Sequence, residues 1–129
     1  MMITFETSRF GLVEVSEDRI IRFPSGLPGF PQLNRYVLID YKDTPLRWLQ
    51  SVDDSQVAFI VADPKSVSGE GTVVFGDDVV RFLQIEKEED LAVLIILRVE
   101  DGKIVANLSG PIAINSSRML GVQAVLDRA

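Results

Sequence analysis

Leu91-Ala92-Val93-Leu94-Ile95-Ile96-Leu97-Arg98-Val99, followed by Glu100-Asp101-Gly102-Lys103 and then Ile104-Val105-Ala106-Asn107-Leu108, is the stretch that decides the fold. Nine positions with a single charge are too few to span a membrane, and Val93 with Ile95 and Ile96 favours a central strand buried on both faces for part of its length. Asp101-Gly102 supplies the central pair of a tight hairpin turn, which sends Ile104–Leu108 back as the partner strand. Ser109-Gly110-Pro111 ends that strand. Ile112-Ala113-Ile114-Asn115 and then Met119 to Leu126 read as two more, with Gly121 marking a bulge or a close backbone approach.

The same grammar holds towards the N-terminus. Ile3–Glu6, Leu12–Val15 and Ile20–Phe23 read as three short antiparallel strands, followed by Tyr36–Tyr41, Leu46–Ser51 and Val57–Ala62. Asp63-Pro64 suits a strand end, because proline has no N–H to donate. The middle is ambiguous. Ser66–Gly71 reads as loop and Thr72–Phe75 as a short strand. Asp77 or Asp78 can cap a short helix running to Leu83, with Val79, Val80, Phe82 and Leu83 inward, although Val79-Val80 equally suits a strand. About ten short strands without an internal repeat or linker predict one all-β domain over residues 1–129. Its expected form is a small, closed or nearly closed antiparallel β-barrel with at most one short helix.

Composition narrows the function. The 129 residues include no cysteine and no histidine, so thiolate chemistry and the usual neutral-pH general base are both missing. There is no phosphate-binding glycine loop, nucleotide fingerprint, zinc ligand cluster or nucleophile elbow. No catalytic residue, metal or cofactor is therefore assigned. Asp53-Asp54 and Asp77-Asp78 are read as ordinary surface acids. The N-terminus lacks the pattern of a signal peptide, so a cytoplasmic protein is expected. Of the net charge of −6, the segment Asp77–Asp101 carries −5. That is either a solvated surface or a patch that steers a basic protein, and in both cases direct nucleic-acid binding is disfavoured.

Several residues stand out as docking or architectural candidates. Pro24-Ser25-Gly26-Leu27-Pro28-Gly29-Phe30-Pro31 loses little entropy on ordering; its Leu27 and Phe30 either plug a barrel end or form a preformed recognition edge. Glu86, Glu88, Glu89 and Asp90 are the candidate steering acids. Asn107, Asn115 and Gln50 are candidates for a structural polar role, with the two asparagine amides holding loop carbonyls and donors. Trp48 is either core or an interface anchor.

Several stretches together resemble one family, FliW. They are Ile21-Arg22-Phe23-Pro24-Ser25-Gly26-Leu27-Pro28-Gly29-Phe30, Leu49-Gln50-Ser51, Ala58–Pro64, Asp90–Leu94, Ala106-Asn107-Leu108-Ser109-Gly110-Pro111-Ile112-Ala113-Ile114-Asn115 and Gly121–Leu126. They lie in the family's order and cover nearly the whole chain. The resemblance implies a β-barrel-like flagellar assembly factor without enzymatic activity. It would bind flagellin in the cytoplasm and, once released, bind and allosterically antagonise the translational repressor CsrA. Relatives often carry a longer tail than the one ending at Ala129, so contacts from such a tail are expected to be missing. Two other readings compete: a β-barrel carrier of an apolar ligand, and a carboxylate-based enzyme.

Overall fold

In the computed structural model, which describes residues 1–68 and 73–125, ten strands are arranged around a filled interior. They are β1 (Met2–Thr7), β2 (Gly11–Ser16), β3 (Ile21–Arg22), β4 (Arg35–Asp40), β5 (Arg47–Ser51), β6 (Ala58–Ala62), β7 (Leu91–Glu100), β8 (Lys103–Ala106), β9 (Ile112–Asn115) and β10 (Leu120–Gln123). The larger sheet runs β6-β5-β4-β3-β10-β9-β7-β8, and a further β6–β7 pairing closes seven of these strands into a barrel. The all-β barrel read from the sequence is thus the observed architecture.

Three details differ from the sequence reading. All pairings are antiparallel except β3 with β10, which is parallel at Leu120↔Arg22. Parity requires this: a ring of seven strands cannot alternate direction all the way round. The first three strands do not form one sheet. β1 and β2 pair only with each other, and a short 3₁₀ turn at Glu17–Arg19 redirects the chain so that β3 joins β4 and β10. There are also two short α-helices rather than at most one, α1 (Pro64–Ser68) and α2 (Asp77–Phe82). Pro64 ends β6 as expected but also opens α1, because proline at the first helical position forfeits no hydrogen bond. Residues 73–75 form no strand; Thr72, the rest of the expected 66–71 loop beyond Ser68, and Leu126 lie outside the described residues.

In α2 the cap position belongs to Gly76, and both aspartates sit in the first turn, where their charge suits the positive helix end. Of its expected inward residues, Leu83 is fully buried, Val79 and Val80 are half-buried, and Phe82 is exposed. A helix of six residues lying against a barrel presents too narrow a face to bury four side chains.

The long β7 shows how the barrel is sealed. Its first half pairs with β9 from Leu91↔Asn115 to Leu94↔Ile112, and its end pairs with β8 from Leu97↔Ala106 to Glu100↔Lys103. Thus β8 and β9 follow the same edge, separated by an irregular Asn107–Pro111 excursion. At the hairpin tip Asp101 and Gly102 both have positive φ, 51° and 75°, which fits the right-handed twist of the two strands.

Side-chain alternation sorts the apolar residues into three groups. Phe23, Tyr36, Leu49, Val61, Leu94, Ile112 and Ile114 fill the barrel interior with Leu27 and Leu33. On the outside, β1–β2 lay Ile3, Phe5, Val13 and Val15 over Val37 and Ile39 of β4. A third group joins Val67 of α1 to Ala62, Ile95 and Leu97. Because β4 contributes Tyr36 and Leu38 inward and Val37 and Ile39 outward, it is apolar throughout. That explains its uninterrupted hydrophobic sequence.

Tyr36 introduces a stress into this interior. Its ring meets Phe23 edge-on at 5.5 Å, but its buried hydroxyl has no hydrogen-bond partner among the described residues. Burial pushes the phenol up to about 12 from its ordinary value of 10.0, with the charge of Asp54 adding to the effect. Because the folded-state value is raised, ionisation of this phenol costs the fold nothing below pH 10, and stability falls as pH rises from 10 towards 12. Tyr36→Phe removes the orphaned hydroxyl and is expected to raise stability by up to about 1 kcal/mol at neutral pH. The margin should widen in alkali. Urea melts of both proteins at neutral and alkaline pH check this; a clear loss of stability in the variant would contradict it.

Candidate docking surface

Apolar side chains left outside the barrel converge on one face. The register places Ile39 opposite Trp48, Trp48 opposite Ile60, Ile60 opposite Leu97, and Leu97 opposite Ala106. This row crosses five strands on the outer surface. The β7–β8 hairpin extends beyond it and carries Val99 and Ile104, which are 65% and 66% exposed. Trp48, Ile60, Leu97, Val99 and Ile104, together with Tyr41 and Leu46, line a groove of about 230 Å³. A second hollow continues it, sharing Trp48, Ile60, Leu97 and Arg98 and adding Arg9, Pro28, Ala58, Phe59, Ile96 and Asn107. Exposed apolar surface of this kind is a mark of protein contact sites.

Trp48 sits at the centre. It is half-buried, edge-on to Phe10 at 6.1 Å and to Tyr41 at 6.5 Å. The Arg9 guanidinium lies 4.6 Å over its ring, and Lys42 lies 5.4 Å over the ring of Tyr41. The two sequence readings of Trp48 therefore merge: its edge is packed while its surroundings remain open. Arg47 and Arg98 also line the groove, and among the described residues no carboxylate lines either hollow. Arg98 is bonded to Glu100 at 2.9 Å, whereas Arg9 and Arg47 have no ion pair among the described residues.

The proline-rich loop closes one end of the barrel. Gly26 and Gly29 adopt φ of 70° and 82°, and the Phe30 N–H donates to the Leu27 carbonyl at 2.8 Å. Leu27 is 4% exposed and belongs to the interior, so its side chain offers a partner almost no surface. Phe30 is half-buried and meets Phe59 at 6.2 Å. The other end opens to a hollow lined by Ile21, Leu38, Leu94, Ile114 and Met119, with Arg47 and Asp63 at its rim.

The acids lie elsewhere. Glu86, Glu88 and Glu89 are exposed and Asp90 is half-buried, in and beside a 3₁₀ turn (Glu88–Asp90) that leads into β7. Glu86 approaches Arg118 at 3.9 Å, and the Asp90 carbonyl accepts from the Ser116 N–H at 2.8 Å. Asp90, at the entry to β7, and Leu97 are seven positions apart, about 23 Å at the usual rise, so the acids do not join the groove. Another carboxyl, Asp53, is held below its ordinary value by the hydrogen bond from Arg35 at the start of β4.

The three polar candidates occupy joints of the frame. Asn115 is buried, and its Nδ2 donates to the Leu83 carbonyl at 2.7 Å and the Gln84 carbonyl at 3.3 Å. Its Oδ1 accepts from the N–H groups of Ser117 and Arg118 at 3.0 and 3.2 Å. One amide thereby ties α2 to the β9–β10 turn. Gln50 Nε2 donates to the carbonyls of Ser51 and Val57 at 3.0 and 3.2 Å, and its buried Oε1 has no partner among the described residues. At Asn107 the backbone forms the contact: its N–H donates to the Ile96 carbonyl at 2.9 Å. The amide that holds the Gly110 carbonyl belongs to Gln123, at 3.1 Å, which the sequence reading did not single out.

Among the described residues no group of three or more metal-ligating side chains comes together, and no helix is long and apolar enough to cross a membrane. The family model described as "FliW protein" matches residues 4–129. The "Flagellar assembly factor FliW" of Thermoanaerobacter pseudethanolicus is 36% identical over 94% of this chain and 83% of that protein. The protein of the same name from Geobacillus kaustophilus is 37% identical over 93% and 85% respectively. A crystal structure of the flagellar assembly factor FliW superimposes with a TM-score of 0.91 at 35% identity, covering 98% of this chain and 91% of that one. With a sequence match over almost its whole length and the same barrel, this chain belongs to the FliW family of flagellar assembly factors.

Proposed function

We propose that this protein acts in flagellum biogenesis as a cytoplasmic, chaperone-like binding protein with two alternative partners. It holds flagellin before export and, when flagellin leaves, binds a CsrA-type repressor and relieves repression of translation. One observation carries this reading: an apolar groove lies on the outside of the barrel, centred on the half-buried Trp48. A carboxylate enzyme needs acids converging on a pocket, whereas the charged side chains along this groove are arginines.

The exposed acids Glu86, Glu88 and Glu89, with Asp90, are suited to steering a basic RNA-binding protein, raising its association rate more than its affinity. The protein itself does not bind RNA in this account. Leu27 and Phe30 act as the barrel plug that keeps β5 and β6 in register beneath the groove. The acids and the groove are about 23 Å apart, less than the breadth of a small folded domain, so two protein partners obstruct one another. Flagellin then sets the free concentration available to the repressor by mass action.

Light scattering on mixtures with purified flagellin, and separately with the repressor, tests the proposal. A discrete heteromeric species is expected in each case. Failure to associate with either partner defeats the reading.

A further inference from the structure

The groove has a chemistry of its own, different from the acidic surface that dominates the chain. The net charge is −6, yet Arg9, Arg47 and Arg98 line the joined hollows and, among the described residues, no carboxylate does. Two of these three have no ion pair among the described residues, and Arg9 is stacked on the central Trp48. Guanidinium groups beside aromatic and aliphatic surface favour an occupant with apolar side chains and nearby carboxylates, and they repel a basic one. We propose that the groove takes an acidic, apolar peptide segment of a partner protein. This rests on the binding-protein reading and deepens it, assigning the groove and the Glu86–Asp90 loop to partners of opposite charge. The apolar side chains of the segment seat between Trp48 and the Val99–Ile104 hairpin; its carboxylates meet Arg9 and compete with Glu100 for Arg98.

Two synthetic amphipathic peptides test this, with identical Leu and Phe positions and no tryptophan. One carries glutamates between them and the other lysines. Trp48 is the only tryptophan, so its emission reports occupancy directly. The glutamate peptide should bind about tenfold more tightly than the lysine peptide, and Arg9→Glu with Arg98→Glu should reverse the preference. Ile104→Asp should weaken binding of both while leaving thermal melting unchanged. Equal affinity for the two peptides, or an unchanged preference in the charge-reversed protein, overturns the inference. So does self-association that Ile104→Asp dissolves, because that gives the groove to a second copy. If flagellin and repressor bind while the peptides show no preference, only this inference falls. If neither natural partner binds, the proposed function has failed.

Discussion

Gly121→Val is expected to lower the stability of the barrel by about 3 kcal/mol or more, through overpacking of a filled interior. Gly121 lies in β10 opposite Ile114, and a Cβ there would come within 2.7 Å of the Phe23 Cζ and 3.0 Å of its Cδ2. The ring cannot retreat, since Phe23 is wholly buried and held edge-on against Tyr36. The clash is with one side chain, so it is separable. Phe23→Leu alone should cost about 1–2 kcal/mol, and combined with Gly121→Ala it should cost less than the two single changes together. Urea denaturation of the four proteins in the cycle reads the coupling directly. Additive losses would mean that Gly121 is needed for some reason other than the approach of Phe23.

Ile104→Asp has the largest expected effect on binding. The side chain is exposed on the β7–β8 hairpin, so the fold loses little by its replacement. In a complex it would lie at the wall of the groove next to Trp48, where apolar anchors contribute most and a buried carboxylate without a partner is costly. The partner seated in the groove should bind about 30- to 100-fold more weakly, with an unchanged melting temperature. Titration calorimetry with flagellin and with the repressor identifies which of the two is affected. Unaltered affinity for both would remove the groove from the docking surface.

The sequence carries the elements better than their connections. β7, the Asp101-Gly102 turn and β4 were legible because alternation, apolar runs and paired positive-φ residues are local signals. The parallel β3–β10 pair was not, because closure of a seven-stranded ring is a property of the whole sheet. α1 was hidden by Pro64, which signals the end of β6 as strongly as the start of a helix. Gly121 left two alternatives, bulge or close approach; β10 pairs regularly through it, and the approach of Phe23 is the reason.

The docking surface was the least visible feature. Trp48, Ile60 and Leu97 stand in three different strands, and only the register brings them into one row. Alternation along β5 puts Trp48 and Gln50 on one face, and extending that face across the register leads to the groove. The proline-rich loop stands out more in the sequence, yet its Leu27 is turned into the barrel core. Asn115 was recognisable as a polar residue ending an apolar strand, though its link to α2 spans more than thirty residues and has no local signature.

The most direct test is a competition. The preformed complex with the CsrA-type repressor is titrated with flagellin, and free repressor is measured by its return to RNA. The account predicts stoichiometric release as flagellin is added, without a ternary complex. A stable three-component species, with the repressor still held at saturating flagellin, would contradict it.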